Sequence, residues 1–268
     1  QAARFRPIGA GDDAGVEVGE GIDPSRAYLW RGPHGATLAL FFYDGPLSRG
    51  IAFEGLLRNG LDLAARLRAA FSATREWPQI VHVATDGESY GHHSRFGEMA
   101  LASALHDLDT DPEISLTNYG EALAMAPPTH EVEIRQATSW SCAHGIERWR
   151  ADCGCRVTAE THQRWRAPLR EALDWLRDTV DPLYEARAGQ LLKDPWQARD
   201  DYVSVILARP PARITEFLDR HARAPLDEGA RVDVLRLLEL QRNRLLMYTS
   251  CGWFFDELSR LEPVQLLK

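Results

Sequence analysis

The spacing of apolar residues changes character once along this chain, near residue 135. Before that point short apolar runs alternate with helical patterns. Residues 36–43, "ATLALFFY", are almost continuously apolar and bounded by glycines, which predicts a strand buried on both faces and hence a parallel sheet. Near residues 60–72, "GLDLAARLRAAF" places apolar side chains at helical spacing, and "QIVHVAT" then predicts the next strand, completing a strand–helix–strand unit. "SRFGEMALASALHDLD" predicts a second helix and "ISLTN" a third short strand. Beyond residue 135 the strand signal stops. Residues 165–187, 196–208, 212–221 and 227–260 predict amphipathic helices, separated by "KDP", "RPP" and "RAPLDEG", whose prolines and glycine punctuate helices. No strand is expected between residues 165 and 260. The opening stretch, "QAARFRPIGAGDDAGVEVGEGIDPSRAY", reads as a polar connector. The expected divisions are a connector over 1–35, an α/β part over 36–135, a loop region over 136–164 and a helical domain over 165–268.

Composition narrows the classes of function. A chain of 268 residues that is 44% hydrophobic can bury a real core, so disorder is excluded. Acidic residues outnumber basic ones 39 to 31, a net charge of −8 that repels phosphate backbones, and no nucleic-acid partner is expected. The longest apolar run falls far short of the roughly 20 residues of a membrane-spanning helix, so no membrane partner is expected and the predicted location is the cytoplasm. Residue 1 is glutamine rather than a start methionine, and with the connector-like opening this predicts a fragment of a longer protein.

The densest candidate chemistry follows the predicted strand at 79–85. "TDGESYGHH" gathers Asp86, Glu88, Tyr90, His92 and His93 within eight positions. In parallel α/β architectures ligands collect at the carboxyl ends of strands. Side chains two apart on an extended strand share a face, about 6.5 to 7 Å apart, so Asp86 and Glu88 would both enter one cavity. Two such carboxyl groups can be driven to different protonation states, one acting as acid and the other staying ionised. The bland alternative makes Asp86 a helix cap and Glu88 a surface partner of Arg95. "YDGPLSR", after the preceding strand, should border the same cavity and bring Asp44 to it, because a right-handed crossover places successive strands side by side.

These residues resemble a known family. "HVATDGESYGHH" is similar to the acid/base motif of glycoside hydrolase family 57, "ALFFYDGPLSRGIAFE" to the family's preceding strand and loop, and "LLMYTSCGWFFDEL" to its helical segment lining the sugar groove. "TSWSCAHGIERWRADCGC", "LLKDPWQARDDY" and "YTSCGWFFDELS" resemble a subgroup that carries an uncharacterised C-terminal domain. The resemblance runs over nearly the whole chain from residue 25. It implies part of an incomplete seven-stranded (β/α) barrel followed by a helical-bundle domain. It also implies a retaining mechanism on an α-glucan or other oligosaccharide, with Asp86 as general acid/base and Glu88, Tyr90 and His92 holding and orienting it. The family's nucleophilic glutamate and first histidine motif lie on earlier strands. Nothing before residue 36 supplies either, so the resemblance makes a missing N-terminal barrel half the implied partner. Glu88 stands as the other catalytic candidate. No cofactor is implied. A non-catalytic carbohydrate-binding or regulatory module is the alternative, and a metal-dependent hydrolase or deacetylase using Asp86, His92 and His93 as ligands is a third.

The cysteines pose a separate question. Cys142, His144, Cys153 and Cys155 form C-x-H…C-x-C, with Cys251 farther on. Thiolates with imidazole suit structural Zn²⁺, but the spacing matches no standard finger and free cysteines are also ordinary small hydrophobes. A disulfide is disfavoured in a cytoplasmic protein. The favoured reading assigns no metal and puts His144 and Glu147 in the substrate groove with Trp140, Trp149 and Trp253, because aromatic faces stack on sugar rings. Trp165, Trp175 and Trp196, on amphipathic helices, are expected to pack in the core.

Overall fold

The computed structural model of the chain describes residues 1–18 and 21–268. They divide into two compact units, residues 1–136 and 137–268.

The first unit is mixed α/β. Its strands are β1 (Ala2–Pro7), β2 (Val16–Glu17), β3 (Ala27–Arg31), β4 (Thr37–Phe41) and β5 (His130–Ile134), in the spatial order β2-β1-β5-β3-β4. Only β3 and β5 pair in parallel; β1 with β2, β1 with β5 and β3 with β4 are antiparallel. This open sheet corrects the expected parallel one, and its five strands do not close a barrel. Strand β4 was expected to be buried on both faces. It is instead an edge strand in a hairpin with β3, and Leu38 is 54% exposed.

The opening stretch is also corrected. Residues read as a connector supply three of the five strands, apart from residues 19 and 20, which lie outside the described residues. A register shift between Ala2 and Arg4 breaks the simple alternation of "AARFRP". Ala2 and Phe5 turn to the core with Tyr28 and Val132, while Arg6 reaches Glu131 across the ladder at 3.3 Å.

Helices α2 (Gly60–Arg68) and α3 (Gly97–Asp109) fall where the helical spacing predicts them, and α1 (Gly45–Phe53) and α4 (Tyr119–Met125) are two further helices that the apolar pattern does not announce. Asp44, Asn59 and Asn118 each cap one, accepting from the amides of Leu47, Leu61 and Glu121 at 2.8, 2.9 and 3.1 Å. Helices α2 and α3 meet over Leu63, Ala64, Ala104 and Leu108. They approach so closely at Gly60 that a Cβ there would lie 2.7 Å from the Ala100 carbonyl oxygen and 2.6 Å from Ser103 Cβ. Gly60→Ala should therefore destabilise the unit by about 1–3 kcal/mol despite alanine's better helix propensity, a loss that urea unfolding would measure.

Two predicted strands are absent among the described residues. "QIVHVAT" forms no strand, and its groups bond to loops and side chains rather than to a neighbouring strand. The Ile80 amide donates to Ser25 O at 2.9 Å, the Ala84 amide to Ser48 Oγ at 3.1 Å, and His82 O accepts from the Asp44 amide at 3.1 Å. No ladder can start. "ISLTN" ends in the capping of α4 by Asn118 instead.

The second unit is helical: α5 (Arg166–Leu191), α6 (Pro195–Asp201), α7 (Val203–Leu207), α8 (Pro211–His221), α9 (Glu228–Leu246) and α10 (Leu261–Leu266). No strand occurs among its described residues. The predicted punctuation holds, since Asp194 caps α6, Pro211 opens α8 and Asp227 caps α9 through the Ala230 amide at 2.8 Å. The last predicted helix ends early, giving way at Ser250–Trp253 to a 3₁₀ turn before α10. One core gathers Tyr184, Leu192, Tyr202, Phe217, Leu218 and Leu238, and a second gathers Leu173, Met247 and Trp253. Trp165 and Trp196 pack against these cores as expected. Trp175 does not: it is 68% exposed on the outer face of α5.

Three histidines give the fold a pH dependence. Burial pushes His82, His130 and His221 below the ordinary histidine value of 6.5, and for His221 it outweighs the opposing pull of Asp201. Near pH 6.5 the unfolded chain thus binds more protons than the folded one, so stability rises with pH through this window. It should be complete above about pH 7.5 and fall as the pH drops below the unfolded value. A urea midpoint that stays constant from about pH 7.5 to pH 5.5 would contradict this assignment.

Candidate functional site

The Asp86 segment forms a tight turn rather than a strand end. The Ser89 amide donates to Asp86 O and the Tyr90 amide to Gly87 O, each at 3.1 Å, winding Gly87–Ser89 into a 3₁₀ turn. Asp86 and Glu88 therefore do not share the face of an extended strand, which corrects that expectation. Glu88 O then accepts from the amides of His92 and His93 at 3.2 and 2.8 Å, and the turn folds back toward α3. Gly91 makes this reversal at φ +132°, a conformation that side chains strongly disfavour.

The turn is anchored from beneath. Ser89 is buried, and Tyr90 packs against the α2/α3 core while its hydroxyl meets Thr85 Oγ1 at 2.8 Å. Asp86, Glu88, His92 and His93 all remain exposed on top. The two imidazole rings lie 4.8 Å apart, edge to face. Neither bland role is realised: the Asp86 carboxylate makes no capping bond, and among the described residues Glu88 forms no ion pair with Arg95, which instead sits over the Phe96 ring. Asp44 is half-buried and its amide is bonded to His82 O, so the two loops run side by side. Its carboxylate, however, is engaged in capping α1.

The remaining expected groove residues belong to the second unit, and only some have a free face. Trp140 is 71% exposed. Trp149 is half-buried, edge-on to Phe254. Glu147 is bound to Arg150, whose hydrogen bond holds its carboxyl below the usual range. Trp253 is only 1% exposed, stacked on Trp165 at 6.0 Å between ring centres. It has no face for a sugar, and its expected stacking role is corrected to a core one.

The chain order that separates Cys142 and His144 from Cys153 and Cys155 hides their proximity. In the structure the three sulfur atoms and one imidazole nitrogen all lie within 4.8 Å of one another. A turn from Cys142 to Gly145, closed by the Gly145 amide donating to Cys142 O at 3.1 Å, presents the first pair. Gly145 has φ +71°, and a Cβ there would stand 2.2 Å from Ala137 O, so only glycine closes this loop. Gly154, at φ +80°, lets Cys153 and Cys155 face the same point.

Around them lies a buried polar network. Gln163 donates to Cys155 O at 2.6 Å and to Asp256 Oδ1 at 2.7 Å, while Asp256 Oδ2 accepts from the amides of Val157 and Thr158 at 2.8 and 3.2 Å. Arg166, fully buried, donates to Cys153 Sγ at 3.6 Å and to Gln163 Oε1 at 2.9 Å. Burial pushes the Cys153 thiol up, but hydrogen bonds from the Cys155 amide and the Cys142 thiol, together with the Arg166 charge, outweigh it and leave the thiol more acidic than usual. Burial and the neighbouring Cys153 sulfur push Cys155 the other way. Among the described residues this is the one group of three or more such side chains able to share a metal ion, and Asp86, His92 and His93 do not form another. The spacing C-x-H…C-x-C does not reveal this proximity, which depends on the turns at Gly145 and Gly154.

Residues 161–268 match a family described as Domain of unknown function (DUF3536). No curated protein and no solved structure matches the chain. The uncharacterised C-terminal domain implied by the sequence resemblance thus has a counterpart in the helical unit. No helix among the described residues is long and apolar enough to cross a membrane.

Proposed function

We propose that this chain takes part in cleaving or transferring α-glucans with retention of configuration, with Asp86 as the general acid/base. The observation that carries this reading is the anchored turn. Its main chain is fixed by four hydrogen bonds and by buried Ser89, and it holds Asp86, Glu88, His92 and His93 open to an incoming ligand. A fixed turn can keep a carboxyl group positioned beside a glycosidic oxygen, where proton donation accelerates departure of the leaving sugar. The match over residues 161–268 adds support, because that domain is found in proteins associated with glycoside hydrolase family 57. The nucleophile implied by the sequence resemblance is part of the proposal.

Exposure of both Asp86 and Glu88 to water favours a second reading, a glucan-binding module without chemistry, since acid/base carboxyl groups are usually tuned by a shielded site. Incubation of the full-length protein with maltoheptaose and amylose separates the two. Product formation with the α-anomer released first supports the enzyme, binding without products supports the module, and neither binding nor products rejects the carbohydrate reading altogether.

A further inference from the structure

The cluster of Cys142, His144, Cys153 and Cys155 takes no part in the proposed carbohydrate chemistry, and its geometry asks for an occupant. Tetrahedral Zn²⁺ has Zn–S bonds of about 2.3 Å and Zn–N bonds of about 2.0 Å, which set neighbouring ligand atoms about 3.6 to 3.8 Å apart. His144 Nδ1 lies 3.8 Å from Cys142 Sγ and 3.4 Å from Cys155 Sγ, and no pair in the group exceeds 4.8 Å. Small side-chain adjustments would complete the tetrahedron. A disulfide needs sulfur atoms about 2.05 Å apart, and all three cysteines are free.

A second observation is independent of these distances. Arg166 is 0% exposed, yet among the described residues no carboxylate pairs with it within ion-pair distance. Apart from Cys153 Sγ, its acceptors are neutral: Gln163 Oε1 and the carbonyl oxygens of Trp253 and Phe254. Its Nε has no partner. A buried cation needs a compensating charge. Three thiolates and a neutral imidazole around Zn²⁺ carry a net charge of −1, which would meet this need at Cys153.

We propose that Cys142, His144, Cys153 and Cys155 hold one structural Zn²⁺, with Arg166 as the buried counter-charge to its thiolates. Binding forms three Zn–S bonds and one Zn–N bond, releases three thiol protons to water and changes no oxidation state. Four protein ligands fill the tetrahedral shell and leave no position for water or substrate, as in structural rather than catalytic zinc sites. Through Arg166 at the start of α5 the ion ties the loop over 139–156 to the Ser250–Trp253 turn, so binding energy becomes folding energy for a loop in which Cys142 is the buried residue.

Metal analysis of the protein purified under reducing conditions should find one zinc per chain. Replacement by Co²⁺ should give the intense visible bands and sulfur-to-metal charge transfer of a tetrahedral thiolate site. Cys153→Ser and His144→Asn should lose the stoichiometric metal. Because loss of a ligand can also unfold the loop, thiol titration of the unaltered protein gives a separate test. Exposed Cys251 should react at once, and the other three cysteines only as zinc is released. Arg166→Gln keeps all four ligands and should weaken zinc retention against a chelator by about 10- to 100-fold. The proposal is overturned if the protein lacks stoichiometric zinc while Cys142, Cys153 and Cys155 react as fast as Cys251. Iron in place of zinc, or a disulfide within the cluster, would overturn it equally.

Discussion

In the full-length protein, Asp86→Asn is expected to lower turnover of α-glucans by about 10² to 10⁴ while leaving sugar binding largely intact. The amide keeps the size and most of the hydrogen-bonding capacity of the carboxyl group. It can neither give a proton to the departing oxygen nor take one from an attacking water. The fold should not change, because the Asp86 side chain makes no capping bond and the turn is held by main-chain groups and by Tyr90. Circular dichroism and the urea midpoint should therefore match the parent protein, which confines the loss to chemistry. His92→Ala and His93→Ala should weaken affinity more than they slow turnover, since their exposed rings can offer hydrogen bonds to hydroxyl groups. Near-normal turnover by Asp86→Asn would remove the acid/base assignment and leave Glu88 as the carboxyl group to test.

Trp253→Ala should destabilise the second unit by about 3–5 kcal/mol, the usual range for deleting a buried large aromatic side chain. The indole packs with Leu173 and Met247 and stacks on Trp165, so its removal leaves a cavity lined by groups that cannot easily close it. The carbonyl of the same residue accepts from Arg166, and any shift of that turn also disturbs the buried guanidinium. Trp175→Ala is the matched control, because this tryptophan is 68% exposed and its loss should change stability by no more than about 0.5 kcal/mol. Urea unfolding followed by circular dichroism measures both. Equal midpoints for the two variants would show that the second core contributes little.

The sequence by itself determined the helices α2, α3 and α5 to α8 and the start of α9, while α1, α4 and the end of α9 were not legible in it. Asn59, Asp194 and Asp227 cap helices through their own side chains, and these interactions span only two or three residues. Such local physics is readable in order along the chain. The sequence also marked the turn carrying Asp86, Glu88, His92 and His93, because the residues that form it are contiguous.

Only the tertiary structure decided the sheet and the cysteine cluster. Strand β5 pairs with β1 and β3 although about a hundred residues intervene, and no local pattern announces which distant edges will meet. "QIVHVAT" has the composition of a strand but finds loop backbone and a serine hydroxyl instead of a neighbouring strand, and composition does not reveal which partner is available. Trp253 and Trp175 have the same side chain, yet one is stacked in a core and the other faces water. That difference depends on which helix face is covered. Cys142 and Cys155 become neighbours because Gly145 and Gly154 adopt left-handed conformations that bring the two halves of the loop together. Contacts between distant segments depend on how the whole chain packs, and that is why these features became visible only in the fold.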